Sequence, residues 1–74
     1  MSVAKIKLNA VSEVKDFVNE ANKCDYDVDV SYNRVVIDGK SLVGVMSIDL
    51  THTLTVTYHE DDHHFTKVIA KYAV

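Results

Sequence analysis

The sequence predicts a small α+β protein in which helices cover one face of a single antiparallel sheet. Three observations lead there. Period-two alternation of apolar and polar residues recurs in three separate stretches, and two stretches carry apolar residues at helical spacing instead. At 74 residues the chain can build one core only. Alternating strands and one-sided helices each have a single apolar face to bury, so they bury it against each other.

Ala4, Ile6 and Leu8 alternate with Lys5 and Lys7, the pattern of a half-buried strand. Val14, Phe17, Val18 and Ala21 then recur at the i, i+3, i+4, i+7 spacing of an amphipathic helix. Asn9 or Ser12 can cap its start, and Glu13 and Asp16 suit the positive end of its dipole. Tyr26, Val28, Val30 and Tyr32 alternate with Asp27, Asp29 and Ser31, giving a second strand that is polar on one side. Asn33-Arg34 reads as a two-residue hairpin turn into a third strand, Val35 to Gly39. Asparagine tolerates positive φ there, although arginine stands where such turns favour glycine. Ser41 or Ser47 can cap short helical turns across Leu42 to Leu50. Leu54, Val56 and Tyr58 alternate with Thr53, Thr55 and Thr57 in a fourth strand. Phe65, Val68, Ile69 and Tyr72 repeat the helical spacing, with Asp61 and Asp62 at the start and Lys67 and Lys71 later, as the helix dipole favours. The order is β-α-β-β-α-β-α within one domain, residues 1–74.

Charge and composition narrow the function. Eight Lys and Arg against eleven Asp and Glu give a net charge of −3, with acids clustered at Asp25, Asp27, Asp29 and at Glu60, Asp61, Asp62. No comparably dense basic patch answers them, so a nucleic-acid partner is not expected. Cys24 is the only cysteine, which speaks for a reducing cytosol over an oxidised secreted framework. Met1 to Leu8 hold no apolar run long enough for a signal peptide or a membrane span. The expectation is a cytoplasmic protein with no membrane partner. A chain this short buries only about 60% of its unfolded surface, so its stability should be modest.

The most specific stretch is Asp38-Gly39-Lys40-Ser41-Leu42-Val43-Gly44-Val45-Met46-Ser47-Ile48-Asp49-Leu50, which holds both glycines of the chain. Its Lys-Ser-apolar-apolar-Gly-apolar-Met-Ser run resembles the corresponding segment of HPr, the histidine-containing phosphocarrier of the bacterial sugar phosphotransferase system. Anchored on Lys40-Ser41, an ungapped match runs from about Val11 to Leu50. Lys23 then falls at the end of the family's first helix, Asp27 at the start of its second strand and Tyr32-Asn33 at its hairpin. Thr53 to Tyr58 and the last helix agree in pattern but not in motif. The resemblance implies an HPr-like open-faced β-sandwich with a four-stranded antiparallel sheet.

The departures lie towards the N-terminus. The family's active site is a His-Ala-Arg-Pro sequence, whose histidine takes a phosphoryl group from a phosphorylated enzyme and passes it on. Without gaps, that histidine falls at Ala10, the arginine at Ser12 and the proline at Glu13. A strand from Ala4 to Leu8 also runs almost straight into the helix, which implies that the loop carrying the histidine is trimmed. The chemistry requires a basic imidazole nitrogen at a helix N-terminus, where backbone N–H groups stabilise phosphoryl oxygens. Alanine offers no nucleophile, so the expectation is a protein that is no enzyme, needs no cofactor and does not run the usual relay.

What the resemblance implies instead is regulation by binding. Ser41 matches the serine that a dedicated kinase phosphorylates in HPr of low-GC Gram-positive bacteria to signal catabolite status. An added charge of about −1.5 to −2 at a helix N-terminus suits the dipole. The plainer role for Ser41 is an N-cap, unmodified. Leu42, Val43 and Met46 match the residues with which HPr contacts its partners, with Val43 in place of the more usual methionine. A Met-containing exposed patch is an adaptable binding surface, whereas the alternative sends some of this triplet inward with Val45, Ile48 and Leu50. The partners implied are a phosphotransferase-system enzyme, a kinase or a transcriptional regulator.

Four histidines remain, His52, His59, His63 and His64. His59, Glu60, Asp62 and His63 offer nitrogen and oxygen ligands to a divalent metal, but Tyr58 should close a strand before the helix starts. Helical spacing from His59 is therefore not expected, and no metal site is assigned. His52 precedes the fourth strand, which in an HPr-like sheet runs antiparallel beside the first. Its position near the end of the first strand leaves a second reading open, a phosphocarrier with a relocated acceptor at His52. A third reading keeps the fold as a structural module unrelated to sugar transport. Cys24 reads as a small, partly buried residue with no histidine or cysteine to pair with.

Overall fold

Four strands and three helices follow in the expected order in a computed structural model: β1 (Ser2–Ile6), α1 (Val11–Ala21), β2 (Asp29–Tyr32), β3 (Val35–Asp38), α2 (Leu42–Met46), β4 (Leu54–Tyr58) and α3 (His63–Tyr72). The structure describes residues 1–48 and 51–74, so Asp49 and Leu50, at the end of the expected helical stretch, lie outside the described residues. The sheet order is β1-β4-β2-β3 and every pairing is antiparallel. β4 therefore sits beside β1, with Ile6 opposite Leu54 and Ser2 opposite Tyr58.

The alternation works as the sequence implies. Ile6, Val30, Leu54, Val56 and Tyr58 point to one face and are buried, together with Val14, Phe17, Val18 and Ala21 of α1 and Phe65, Val68, Ile69 and Tyr72 of α3. Phe65 stands between Phe17 and Tyr58, its ring centre 5.8 Å from each. The other face carries the polar set, Lys5, Thr55, Thr57, Asp29 and Ser31. Asn33 takes the positive φ of the hairpin turn, 55°, and Arg34 does not, which is how the turn accommodates an arginine.

Several boundaries move, each for a local reason. β1 ends at Ile6 rather than Leu8, because the backbone of Lys7 turns to donate to the Tyr72 carbonyl at the end of α3 (3.0 Å). Leu8 is fully buried all the same, as a plug outside the strand. A four-residue connection, Lys7 to Ala10, thus separates β1 from α1, which corrects the direct run from strand to helix. β2 begins at Asp29 rather than Tyr26, because Tyr26 leaves the sheet to stack on His59 (ring centres 3.8 Å apart) and to bond Asp62. β3 stops at Asp38, and β4 starts at Leu54.

Neither Asn9 nor Ser12 caps α1. Ala10 holds that position with no side-chain bond, and Glu13 reaches back to accept the Asn9 backbone N–H (2.8 Å). The bond differs from a capping box, in which the same glutamate position accepts from the N–H of the capping residue itself. Ser41 does cap α2, its Oγ accepting from Gly44 N (3.0 Å), whereas Ser47 closes the other end and donates to the Gly44 carbonyl (2.6 Å).

Candidate functional site

Two places bear on function, the start of α1 and the turn of α2. At the start of α1, the Ala10 carbonyl accepts from Glu13 N (3.0 Å) and Val14 N (3.1 Å), and the methyl group of Ala10 is exposed. A helix N-terminus of this kind attracts anions. Here the carboxylate of Glu13 already lies over it, placing a negative charge where an incoming phosphoryl group would need a positive field. His59, His63 and His64 belong to the other end of the molecule, where β4 ends and α3 begins. His64 pairs there with Glu20, whose carboxyl is held below its ordinary range chiefly by that bond and then by Lys23.

His52 precedes β4, and the pairing of Leu54 with Ile6 does bring that end of β4 beside the end of β1. Its ring, however, packs on Tyr32 of β2 (centres 4.6 Å apart), on the side of β4 away from β1. Among the described residues no three His, Cys, Asp or Glu side chains come together as metal ligands.

The α2 turn is built from the sheet outwards. Gly39 N donates to the Val28 carbonyl (2.6 Å), drawing the end of β3 against the chain that leads into β2. Asp38 then organises the corner, its carboxylate accepting from Lys40 N (2.9 Å) and its carbonyl from Ser41 N (3.0 Å). Asn22 at the end of α1 donates to the Lys40 carbonyl (2.9 Å), and Lys40 Nζ donates to the Cys24 carbonyl (2.9 Å). The serine is thereby held at the start of α2 by contacts from β3 and α1 together.

α2 turns Val45 into the core and leaves Leu42, Val43 and Met46 outside, 37%, 82% and 44% exposed. Ile48 goes inward with Val45; the orientation of Leu50 lies outside the described residues. Beside the exposed triplet a groove of about 480 Å³ runs between α1 and α2, lined by Lys15, Asp16, Val18, Asn19, Asn22 and Leu42. The α1 wall of this groove is not singled out by the sequence reading. Its signal was present in the polar residues at 15, 19 and 22, which share one helical stripe.

A third cluster is structural. Asp62 caps α3 by accepting from Phe65 N (3.0 Å), and its other oxygen accepts from the Tyr26 hydroxyl (3.0 Å) and the Cys24 thiol (3.5 Å). The Phe65 amide, then the tyrosine and the thiol, hold the Asp62 carboxyl below its ordinary range against a contrary pull from burial. Burial pushes the Cys24 thiol up. The sequence places Asp62 at a helix start but gives no sign of Cys24 and Tyr26, which lie 38 and 36 residues away.

The β-α-β-β-α-β-α order, the antiparallel sheet and a serine-capped α2 define a small phosphocarrier-type sandwich. The family model described as the PTS HPr component phosphorylation site matches residues 11–72, and the chain belongs to that HPr family. Its members are phosphocarriers of the phosphotransferase system rather than enzymes, and they interact with other proteins of that system. The matched span begins one residue after Ala10. The fold is similar to that in the crystal structure of a phosphocarrier protein HPr from Bacillus anthracis str. Ames, with a TM-score of 0.65 over 96% of this chain and 95% of that one. Identity there is 18%, so this likeness speaks for the fold alone. A search of curated proteins finds no match. No helix among the described residues is long and apolar enough to cross a membrane.

Proposed function

We propose that this chain is a non-catalytic, protein-binding member of the HPr family that regulates a partner through α2 and is itself controlled at Ser41. The carrying observation is the contrast between the two sites. The start of α1 presents an alanine methyl and a glutamate where the relay needs an imidazole. The α2 turn presents three apolar side chains on a corner held by hydrogen bonds from two other elements. A phosphate on Ser41 would displace the Oγ···Gly44 bond and set a charge beside Leu42 and Val43, switching an apolar contact to a charged one. The partner is a phosphotransferase-system enzyme, a kinase or a transcriptional regulator, met in the cytoplasm, where a free Cys24 stays reduced.

Binding to the purified HPr kinase, measured by titration, should weaken about tenfold or more in Val43→Asp and in Met46→Asp. Both side chains are exposed, so melting temperatures should hardly change. Unchanged binding in both variants would remove α2 as the contact surface. Incubation with ATP and that kinase should label the wild-type chain and leave Ser41→Ala unlabelled. A wild-type chain that takes no label would end the control at Ser41 while leaving the binding surface in place. The second reading, a relocated acceptor at His52, has the register of β4 beside β1 in its favour, but the packing of His52 on Tyr32 speaks against it.

A further inference from the structure

The two edges of the sheet are not treated alike. The β1 edge is covered at its end by the C-terminus: Ala73 bridges Ile6, and Val74 N donates to the Lys5 carbonyl (3.1 Å). Among the described residues the β3 edge has no such cover, and neither proline, lysine nor a bulge interrupts it. Those are among the devices by which edge strands are kept from pairing; of the others β3 has only its shortness and the charge of Asp38 at its end. Val35 and Val36 are instead 52% and 66% exposed along it.

Backbone phase decides which groups this edge offers. The two-residue turn closes on Tyr32 and Val35, so these exchange hydrogen bonds, and alternation leaves the N–H and C=O of Val36 directed away from β2. Arg34, Val36 and Asp38 share the outer face, with the arginine at one end of the strand and the aspartate at the other. Asp38 lies directly opposite Asp29 of β2, a like-charge pair across the ladder, which is unfavourable. Among the described residues, neither Arg34 nor the two aspartates form an ion pair.

We propose that the occupant of this edge is a second copy of the chain, paired antiparallel about a two-fold axis through Val36. In that register Val36 meets Val36 of the second copy, and each Arg34 meets the Asp38 of the other. The two arginines relieve the two Asp29/Asp38 repulsions, and the outward N–H and C=O of Val36 exchange hydrogen bonds across the axis. On the covered face Val35 of one copy comes beside Ile37 of the other. The result is one eight-stranded sheet, β1-β4-β2-β3 continued in reverse order through the second copy. The contact is isologous and closes on itself, so it ends at a dimer. With only four residues in β3, the association should be weak and dependent on concentration.

Sedimentation velocity of the full chain across a wide concentration range tests this. The wild type should shift from monomer to dimer as concentration rises, and added salt should weaken the shift. Val36→Lys sets two ammonium groups face to face at the axis and should leave a monomer. Arg34→Asp sets aspartate against aspartate and should do the same, and it serves as the independent test if the lysine variant fails to fold. Val43→Asp, on α2, should dimerise like the wild type. A wild type that stays monomeric throughout overturns the proposal, as does a dimer that survives both edge substitutions.

Discussion

Asp62→Ala is expected to destabilise the fold by about 2–4 kcal/mol, the sum of a lost helix cap and a stranded hydroxyl. The carboxylate accepts from Phe65 N at the start of α3 and, through its other oxygen, from Tyr26 and Cys24. Alanine leaves the first turn of α3 uncapped and Tyr26 without its acceptor. Phe65 is the ring between Phe17 and Tyr58, so fraying of this turn reaches the centre of the core. For a domain of this size the melting temperature should drop by roughly 10–20 °C. Asp62→Asn keeps an acceptor of similar capping strength and should lose far less. Thermal melts of the two variants side by side check the assignment.

The same group contributes to the loss of stability in acid. Asp62 titrates below its ordinary value of 3.8 in the folded chain, mainly through the Phe65 amide, and Asp16 does so mainly through the Tyr72 hydroxyl. Between the ordinary and the lowered values the unfolded chain binds more protons than the folded one. Stability from these groups is therefore present above about pH 4 and drains away as pH falls through the folded values. Asp62→Asn should flatten that acid slope.

Gly39→Ala should cost about 1–3 kcal/mol, the usual range for overpacking. A Cβ there would lie 2.8 Å from the Val28 carbonyl oxygen and 2.9 Å from Val28 Cγ1. The carbonyl is the one that Gly39 N bonds at 2.6 Å, so the backbone cannot move away without breaking that bond. The φ of Gly39 is ordinary; close approach, not backbone freedom, calls for glycine. At Gly44 an added Cβ would lie 2.7 Å from Ile37 Cγ2, on a stiff β-branched side chain, and 3.1 Å from Ser41 Oγ, but no backbone atom stands in its way and alanine suits a helix better. Gly44→Ala should therefore cost less than Gly39→Ala in a urea titration. The displacement at Gly39 should also weaken partner binding, because Ser41 and the α2 triplet follow it in the chain.

Most of the fold was legible because its elements carry strong local periodicity. Val14, Phe17, Val18 and Ala21 mark the buried stripe of α1, and Leu54, Val56 and Tyr58 the buried side of β4. Strand ends were less legible, since they depend on partners distant in sequence. Leu8 continues the alternation of β1 yet belongs to a loop, held there by the end of α3. Tyr26 continues that of β2 yet leaves it for His59 and Asp62. The family was legible in the Lys40-to-Ser47 run, whose spacing reflects one tight corner, a cap and a single apolar turn directly after the close-approach Gly39. The other wall of the groove was not, because Lys15, Asn19 and Asn22 are ordinary polar helix positions until α2 is placed beside them.

The proposed loss of the phosphoryl relay rests on Ala10, which stands where the family's histidine falls, and on the Glu13 carboxylate beside it. The most direct measurement is incubation of the chain with phosphoenolpyruvate and the general phosphotransferase enzyme, followed by intact-mass analysis under neutral conditions. No added phosphoryl group is expected. An acid-labile phosphate on any histidine, His52 above all, would contradict it.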